Sequence, residues 1–406
     1  MATDGLQFSG FKPFYQFACP TRVIAGVDLI ESTGFELAKE GAERPLIVTD
    51  EVIRETGLTS AVEAGIAGGG LEVAGVFDSV PQDSDTEVVA SCADAAKAAG
   101  ADSFMAVGGG SVIDTAKAAN VLFTHGGTVR AWEGILTLPR GRDGLGEPLP
   151  LAPLGAMPTT AGTGSEASFA AVVKDRSEGL KVEIGDIALY PRLAILDPAA
   201  TATLPPTIAA ATGMDALTHA IEGYVSTEWN PHGDAFALQA IRMIRDNLER
   251  AIADPSNDEA RGNMLIAANL AIQPSGSGAI GATHSMSHPC GGRYGVPHGV
   301  ANAINLPWVI EYNAASKDEI ADRYRVICDV MGVEAPGRGR DVGRALADEV
   351  RALTRRLGLP QRLSDVGVPE EGIPQLVEGA MGDACTLVNA REPTEEHFEE
   401  LFRKAL

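Results

Sequence analysis

The chain has 406 residues, 45% of them hydrophobic and 21% charged, which is enough apolar material for two ordinary soluble domains. Its 55 Asp and Glu against 32 Lys and Arg give a formal net charge of −23, which repels nucleic acid and anionic lipid and excludes both as expected partners. Five scattered cysteines (Cys19, Cys92, Cys290, Cys328, Cys385) form no CxxC pair, no leader-like segment opens the chain and no apolar run spans a bilayer, so a soluble protein of the reducing cytoplasm is expected.

In chain order, the first half alternates β-rich and helical runs: "RPLIVTDEVI", "LEVAGVFDSV", "ADSFMAVGGGSVIDTAKAANVLF", "PLGAMPTTAGTGSE" and "RLAILDP". Parallel strands cannot be joined by tight hairpins, so this alternation predicts an α/β domain with a parallel sheet and crossover helices. After "LDPAATATLPPTIA" the pattern changes to long Ala/Leu/Ile/Arg stretches at helical spacing over 208–272 and 297–358. The expected organisation is an α/β domain over residues 1–200 and an all-helical domain over 201–406, with the boundary marked by Pro205 and Pro206. The stretch 139–153, "PRGRDGLGEPLPLAP", reads as an exposed loop of the first domain.

Three stretches of the first half offer cofactor chemistry. Asp50 ends an early strand, where a carboxylate can accept from ribose hydroxyls and repel a 2′-phosphate; an isolated Asp at such a position is more often a helix N-cap. Gly108, Gly109, Gly110 and Ser111 stand at a strand-to-helix turn, where open backbone N–H groups and the helix dipole favour a phosphate. The run departs from GxGxxG, with Ile113 at the third glycine, and fits a ligand-free β–α turn as well. "PTTAGTGSE" gathers Thr159, Thr160 and Thr163 in a loop of hydroxyl donors that also suits a helix cap.

The second half holds a denser cluster. Asp215 and His219 in "MDALTHAIE" lie one helical turn apart, so both reach toward the same point. His284 and His288 repeat the spacing in "ATHSMSHPCGGRYGVPHGVANA", ahead of Pro289, which disfavours continuation of the helix, and His298 follows a Gly-rich turn. Each histidine alone reads as a hydrogen-bonded structural residue. Jointly with Asp215 they form an N/O donor set suited to Fe(II), Zn(II), Mn(II) or Co(II), and without paired thiolates it is more like an open catalytic site than structural zinc.

The combination of "VTDEVI", "GGGSVIDTAKA", "PTTAGTGSE", "LDP", "GMDALTHAIE" and "HSMSHPCGGRYGVPHGVANA" resembles the iron-containing, or group III, alcohol dehydrogenase family, and the likeness runs to the terminal "NAREPTEEHFEELFRKAL". The resemblance implies an N-terminal dinucleotide-binding domain, a C-terminal helical metal-binding domain, and hydride transfer between a small alcohol or aldehyde and NAD(H), with NAD preferred to NADP. It implies metal ligands at Asp215, His219, His284 and His298, with Fe(II) the expected ion and Zn(II) the alternative, and a further histidine near substrate and nicotinamide at His288. It places the diphosphate turn on Gly108, Gly109, Gly110 and Ser111, the adenine-ribose carboxylate on Asp50, cofactor-side threonines on Thr159, Thr160 and Thr163, and a lysine near the nicotinamide ribose on Lys181. A homodimer or larger homo-oligomer is implied as well.

The chain departs from the family at Cys290, where a larger apolar residue is common; the thiol would make that wall smaller or oxidisable. A zinc-dependent polyol dehydrogenase and a dehydroquinate-synthase-like lyase are readings within the same superfamily. The lyase needs several cations about the metal, where the sequence offers only Arg293. A noncatalytic metal or nucleotide sensor is the reading from a different class.

Overall fold

Fully apolar strands flanked by amphipathic helices dictate a sheet covered on both faces. In the structure, a computed structural model that describes residues 14–141, 146–178, 180–274 and 280–406, six strands form that sheet. They are β1 (Arg22–Ala25), β2 (Pro45–Val48), β3 (Gly75–Phe77), β4 (Ser103–Gly108), β6 (Leu154–Pro158) and β9 (Leu193–Leu196), in the order β1-β9-β6-β4-β2-β3, all parallel. Alternation along the strands sorts the core into two layers. Leu46, Val48, Phe104 and Ala106 pack with Val89 and Cys92 of α4 (Thr86–Ala99) and Ile113 of α5 (Gly110–His125). Ile47, Met105 and Val107 face the other way, onto Leu37 of α1 (Thr33–Lys39) and Val62 and Ile66 of α3 (Leu58–Gly68); α2 (Glu51–Glu55) is a short helix between β2 and α3. Each Val, Leu, Ile, Phe or Met side chain among them contributes about 1.5–3 kcal/mol on burial.

The order reverses around β2, whose neighbours are β3 on one side and β4 on the other. Connections leave β2 and β4 in opposite directions there, which makes their carboxyl ends the switch point at which open α/β sheets take ligands. A second sheet of three strands joins β5 (Gly134–Ile135), β8 (Leu180–Gly185) and β7 (Ala170–Asp175), with β7 and β8 antiparallel. The alternation used to read the first half did not reveal this sheet: β5 has two residues, and the β7–β8 segment lies outside the β-α-β rhythm.

The second unit is helical, with no strand among its described residues. Its helices are α6 (Pro206–Val225), α7 (Pro231–Ala253), α9 (Ala282–Tyr294), α10 (His298–Ala314), α11 (Asp318–Met331), α12 (Arg340–Arg356), α13 (Ile373–Met381) and α14 (Glu395–Ala405), while α8 (Asp258–Ile272) precedes α9 in the chain. Helix α10 is buried along nearly its whole length and packs on α6, α9 and α12. The segregation into an α/β part and a helical part agrees with the architecture expected from hydrophobic period.

By contacts the α/β unit comprises Cys19–Leu204 and Pro255–Asn269, and the helical unit comprises Pro205–Asp254, Leu270–Leu406 and residues 14–18. A single cut near residue 200 leaves out the segment Pro255–Asn269. It joins the first unit because Arg261 donates to Pro198 O and to Thr201 Oγ1 (3.3 Å), and Asn269 donates to Glu166 Oε1 at 2.9 Å. Helical spacing marks which face of α8 is apolar, not which core receives it.

Helix α9 corrects the expectation for Pro289. The helix continues through the proline to Tyr294. Proline costs a helical hydrogen bond, but α9 is packed on α13, where a Cβ on Gly379 would lie 2.8 Å from Pro289 Cβ, and tertiary packing outweighs the local preference. The stretch 139–153 includes residues 142–145, which lie outside the described residues; of the remainder, Leu151 is buried and Arg140 bridges to Pro148.

Candidate active site

Helix α6 opens with Pro206 in its first turn and is buried from Gly213 to Val225, so Asp215 and His219 point inward from a fixed backbone. Helix α10 crosses α6 closely: a Cβ on Gly299 would stand 2.1 Å from Ala211 O, a distance only glycine permits. This crossing brings His298, the first residue of α10, to Asp215, with His298 Nε2 at 3.5 Å from Asp215 Oδ1. From α9, His284 Nε2 reaches the same oxygen at 3.7 Å. The donor atoms of Asp215, His284 and His298 lie within 4.8 Å of one another, and the His219 ring stacks on His284 with centroids 4.6 Å apart. All four expected metal-site residues thus gather in one place, Asp215, His284 and His298 converging and the His219 ring stacked against the side of the group.

The chemistry of the donor set fits a divalent ion. Asp215 is 3% exposed and His284 1% exposed, so water does not solvate their charges. Burial alone would raise the Asp215 carboxyl, but His219, His298 and His284 together hold it well below the usual carboxylate range. Burial would lower His284, but Asp215 and Glu222 push it up to about 9. Glu222, also buried, lies with Oε2 2.6 Å from His284 Nδ1 and accepts from Gly281 N–H at 3.0 Å and Thr283 N–H at 2.6 Å. Two buried carboxylates around imidazoles ask for positive charge at their centre, and Glu222 fixes the ring so that Nε2 faces that centre. Asn302, one turn along α10 from His298, donates to Asp215 Oδ1 at 2.7 Å.

His288 lies beside this group, its ring stacked on His298 at 5.3 Å. Its Nδ1 is 2.6 Å from Asp383 Oδ2. Burial opposes the charge on Asp383, yet His288 holds its carboxyl well below the usual range. Cys290 corrects the expectation of an oxidisable wall: it is fully buried, donates to Met286 O, and burial pushes its thiol up to about 12, so thiolate is scarce.

In the α/β unit, the three cofactor stretches meet at the carboxyl edge of adjacent strands. Asp50 follows β2 and N-caps α2, accepting from Ile53 N–H at 2.8 Å. Gly108 ends β4, Gly109 N-caps α5 and Ser111 lies in its first turn, where Ser111 Oγ accepts from Asp83 N–H at 3.2 Å. The loop after β6 folds over that turn: Thr159 N–H donates to Gly108 O at 3.1 Å, and a Cβ on Gly110 would come within 2.8 Å of Thr163 Cγ2. Gly109 faces Thr160, where a Cβ would stand 3.4 Å from Thr160 Cγ2. Lys181 lies on β8, opposite Lys174 and close enough to Asp114 for its charge to stabilise that carboxylate.

Several residues of these two groups went unread in the sequence. Glu222 lies seven residues after Asp215 on the same face of α6, and Asn302 four after His298, so helical spacing could have found both. Asp114, in the glycine turn's own helix, accepts from Ser165 Oγ and from Val172 N–H at 3.0 Å; Lys117, fully buried beside it, donates to Ser168 O, Ser168 Oγ and Ala170 O, each at 2.9 Å. Asp383, 95 residues from His288, had no signal.

With this geometry in hand, the comparisons with known proteins are specific. Residues 20–198 match the family described as iron-containing alcohol dehydrogenase, and residues 209–406 match the Fe-containing alcohol dehydrogenase family, C-terminal. The chain belongs to the iron-containing alcohol dehydrogenase family. It is 34% identical to the NAD-dependent methanol dehydrogenase of Bacillus methanolicus over 96% of this chain and 99% of that one. Lactaldehyde reductase of Escherichia coli (strain K12) is 36% identical over 91% of this chain and 94% of the relative. The crystal structure of a 1,3-propanediol oxidoreductase superposes with a TM-score of 0.90 at 34% identity, covering 97% of this chain and all of that one, 100%. As an iron-containing alcohol dehydrogenase, the chain is a metal-dependent oxidoreductase that works with NAD(H). No helix among the described residues is long and apolar enough to cross a membrane.

Proposed function

We propose that this enzyme interconverts a small primary alcohol and its aldehyde, with Asp215, His219, His284 and His298 as ligands of Fe(II), or Zn(II) in its place. The observation that carries the reading is the approach of His284 Nε2 and His298 Nε2 to one oxygen of the buried Asp215. A divalent ion supplies Lewis acidity at that point, chemistry that takes the pKa of water from about 16 to about 7.

The chain's own side chains do the rest. Glu222 holds His284 in one tautomer and keeps its Nε2 turned inward. Asp383 does the same for His288, so that Nε2 of His288 is the nitrogen left to pass the hydroxyl proton of the alcohol toward water. At the sheet edge, the N–H groups at the start of α5 receive the cofactor diphosphate, with Gly108, Gly109, Gly110 and Ser111 leaving room for it. Asp50 accepts from the adenine-ribose hydroxyls and disfavours a 2′-phosphate, which favours NAD over NADP. Thr159, Thr160 and Thr163 line the cofactor side, and Lys181 serves the nicotinamide ribose. Small substrates are supported by the relatives' names, which specify methanol, lactaldehyde and 1,3-propanediol. The absence of a disulfide among the five described cysteines suits a cytoplasmic protein, and Val23, exposed on the edge strand β1, suits assembly into a homo-oligomer.

Replacement of the proposed ligands tests this reading. His284→Ala and His298→Ala are expected to lose bound iron and NAD-linked alcohol oxidation together, whereas His288→Ala keeps the metal and slows turnover by about 10²–10⁴-fold. Iron retained in the first two variants, or lost in the third, overturns the ligand assignment.

A further inference from the structure

A second group of metal-ligating side chains adjoins the first. His288, Asp383 and Cys385, all half-buried, place one donor atom each within 4.8 Å of the others. His288 comes from the middle of α9; Asp383 caps the short 3-10 helix Ala384–Val388, and Cys385 lies in that helix. The backbone holds the trio together: Asp383 Oδ1 accepts from Cys385 N–H at 2.9 Å, its Oδ2 is 2.6 Å from His288 Nδ1, and the Cys385 thiol hydrogen-bonds the same carboxylate.

We propose that His288, Asp383 and Cys385 form a second divalent-cation site, selective for thiolate-preferring ions such as Zn(II) and Cd(II). The donor chemistry separates it from the Asp215 group. That group offers only nitrogen and oxygen, whereas this one adds sulfur, and soft or borderline ions follow the sulfur. Zinc bonds of 2.0–2.3 Å in a tetrahedron put donors roughly 3.3–3.8 Å apart, so His288 Nδ1 and Asp383 Oδ2, 2.6 Å from one another, part slightly to admit the ion. Three protein donors leave the fourth position to water.

Charge balances as well. The ion displaces the proton of the Cys385 thiol to solvent and bonds the resulting thiolate, and the imidazole exchanges its hydrogen bond with Asp383 for a bond to the ion. One thiolate and one carboxylate then neutralise the dication, so it does not repel an ion held by Asp215 and its histidines. Occupation takes His288 out of proton transfer and slows turnover. That consequence rests on the proton role proposed above; the site does not.

Cadmium reads the site directly, because only a thiolate ligand gives sulfur-to-metal charge transfer in the ultraviolet. Cd(II) titrated into the reduced, metal-loaded enzyme is expected to raise this absorption to a plateau at about one equivalent. Cys385→Ser abolishes the band, Cys290→Ser keeps it, and Asp383→Asn weakens Cd(II) binding by about tenfold or more. No band in the native protein, or a band that survives Cys385→Ser, overturns the proposal. A saturating band with undiminished turnover leaves the site standing and overturns the proton role of His288.

Discussion

Glu222 Oε2 lies 2.6 Å from His284 Nδ1, and the same carboxylate accepts from Gly281 and Thr283 at the start of α9. One buried side chain on α6 therefore fixes both the helix that carries His284 and the tautomer of its ring. Glu222→Gln preserves the shape and removes the charge. We expect divalent-metal affinity, measured by chelator competition, to fall by about 10–100-fold while the far-ultraviolet circular dichroism is unchanged. An unaltered affinity would remove Glu222 from the metal chemistry.

The glycine turn at β4 has a packing reason separate from any ligand. A Cβ on Gly108 would lie 2.5–2.6 Å from the Val112 side chain, which is buried in α5. Gly108→Ala should destabilise by about 1–3 kcal/mol through overpacking. The double variant Gly108→Ala/Val112→Ala should recover part of that loss. Additive losses in a denaturant-based double-mutant cycle would sink the contact as the cause.

Lys117 sets a pH dependence. Burial pushes its ammonium group down to about 8 from an ordinary 10.5. Its folded-state value is thus depressed, so the charged form is disfavoured in the fold. The resulting penalty is fully present below about pH 8 and is lifted as pH rises toward 10.5, where the unfolded chain also loses the proton. Its full size is on the order of 3 kcal/mol. Against Lys117→Met, the wild-type protein should gain relative stability between about pH 7.5 and pH 10 in urea unfolding. A difference that stays flat with pH contradicts the burial argument.

Thiol chemistry separates the cysteines by burial. Cys92 and Cys290 are pushed up to about 12 and Cys328 to about 11, chiefly by desolvation. Cys19 is exposed and Cys385 half-buried. A colorimetric thiol reagent should label Cys19 and Cys385 in the native protein and reach the other three only after denaturation. Rapid native labelling of Cys290 would contradict its buried placement.

The sequence by itself determined the strands of the main sheet, the long helices and the spacing of the Asp215 and histidine cluster. Apolar runs such as "PLIV" and "FMAV" could only be strands covered on both faces, and i,i+4 spacing put Asp215 with His219 and His284 with His288 on shared helical faces. Those are local properties, set by the period of one element. Tertiary structure alone decided what met across elements: Asp383 with His288 across 95 residues, Glu222 with the start of α9, and Thr163 against Gly110. It also decided that α9 runs through Pro289 and that Pro255–Asn269 joins the α/β core. Backbone periodicity fixes the direction of a side chain within its own helix or strand, whereas the partner it finds depends on how separate elements close-pack, which no local spacing encodes.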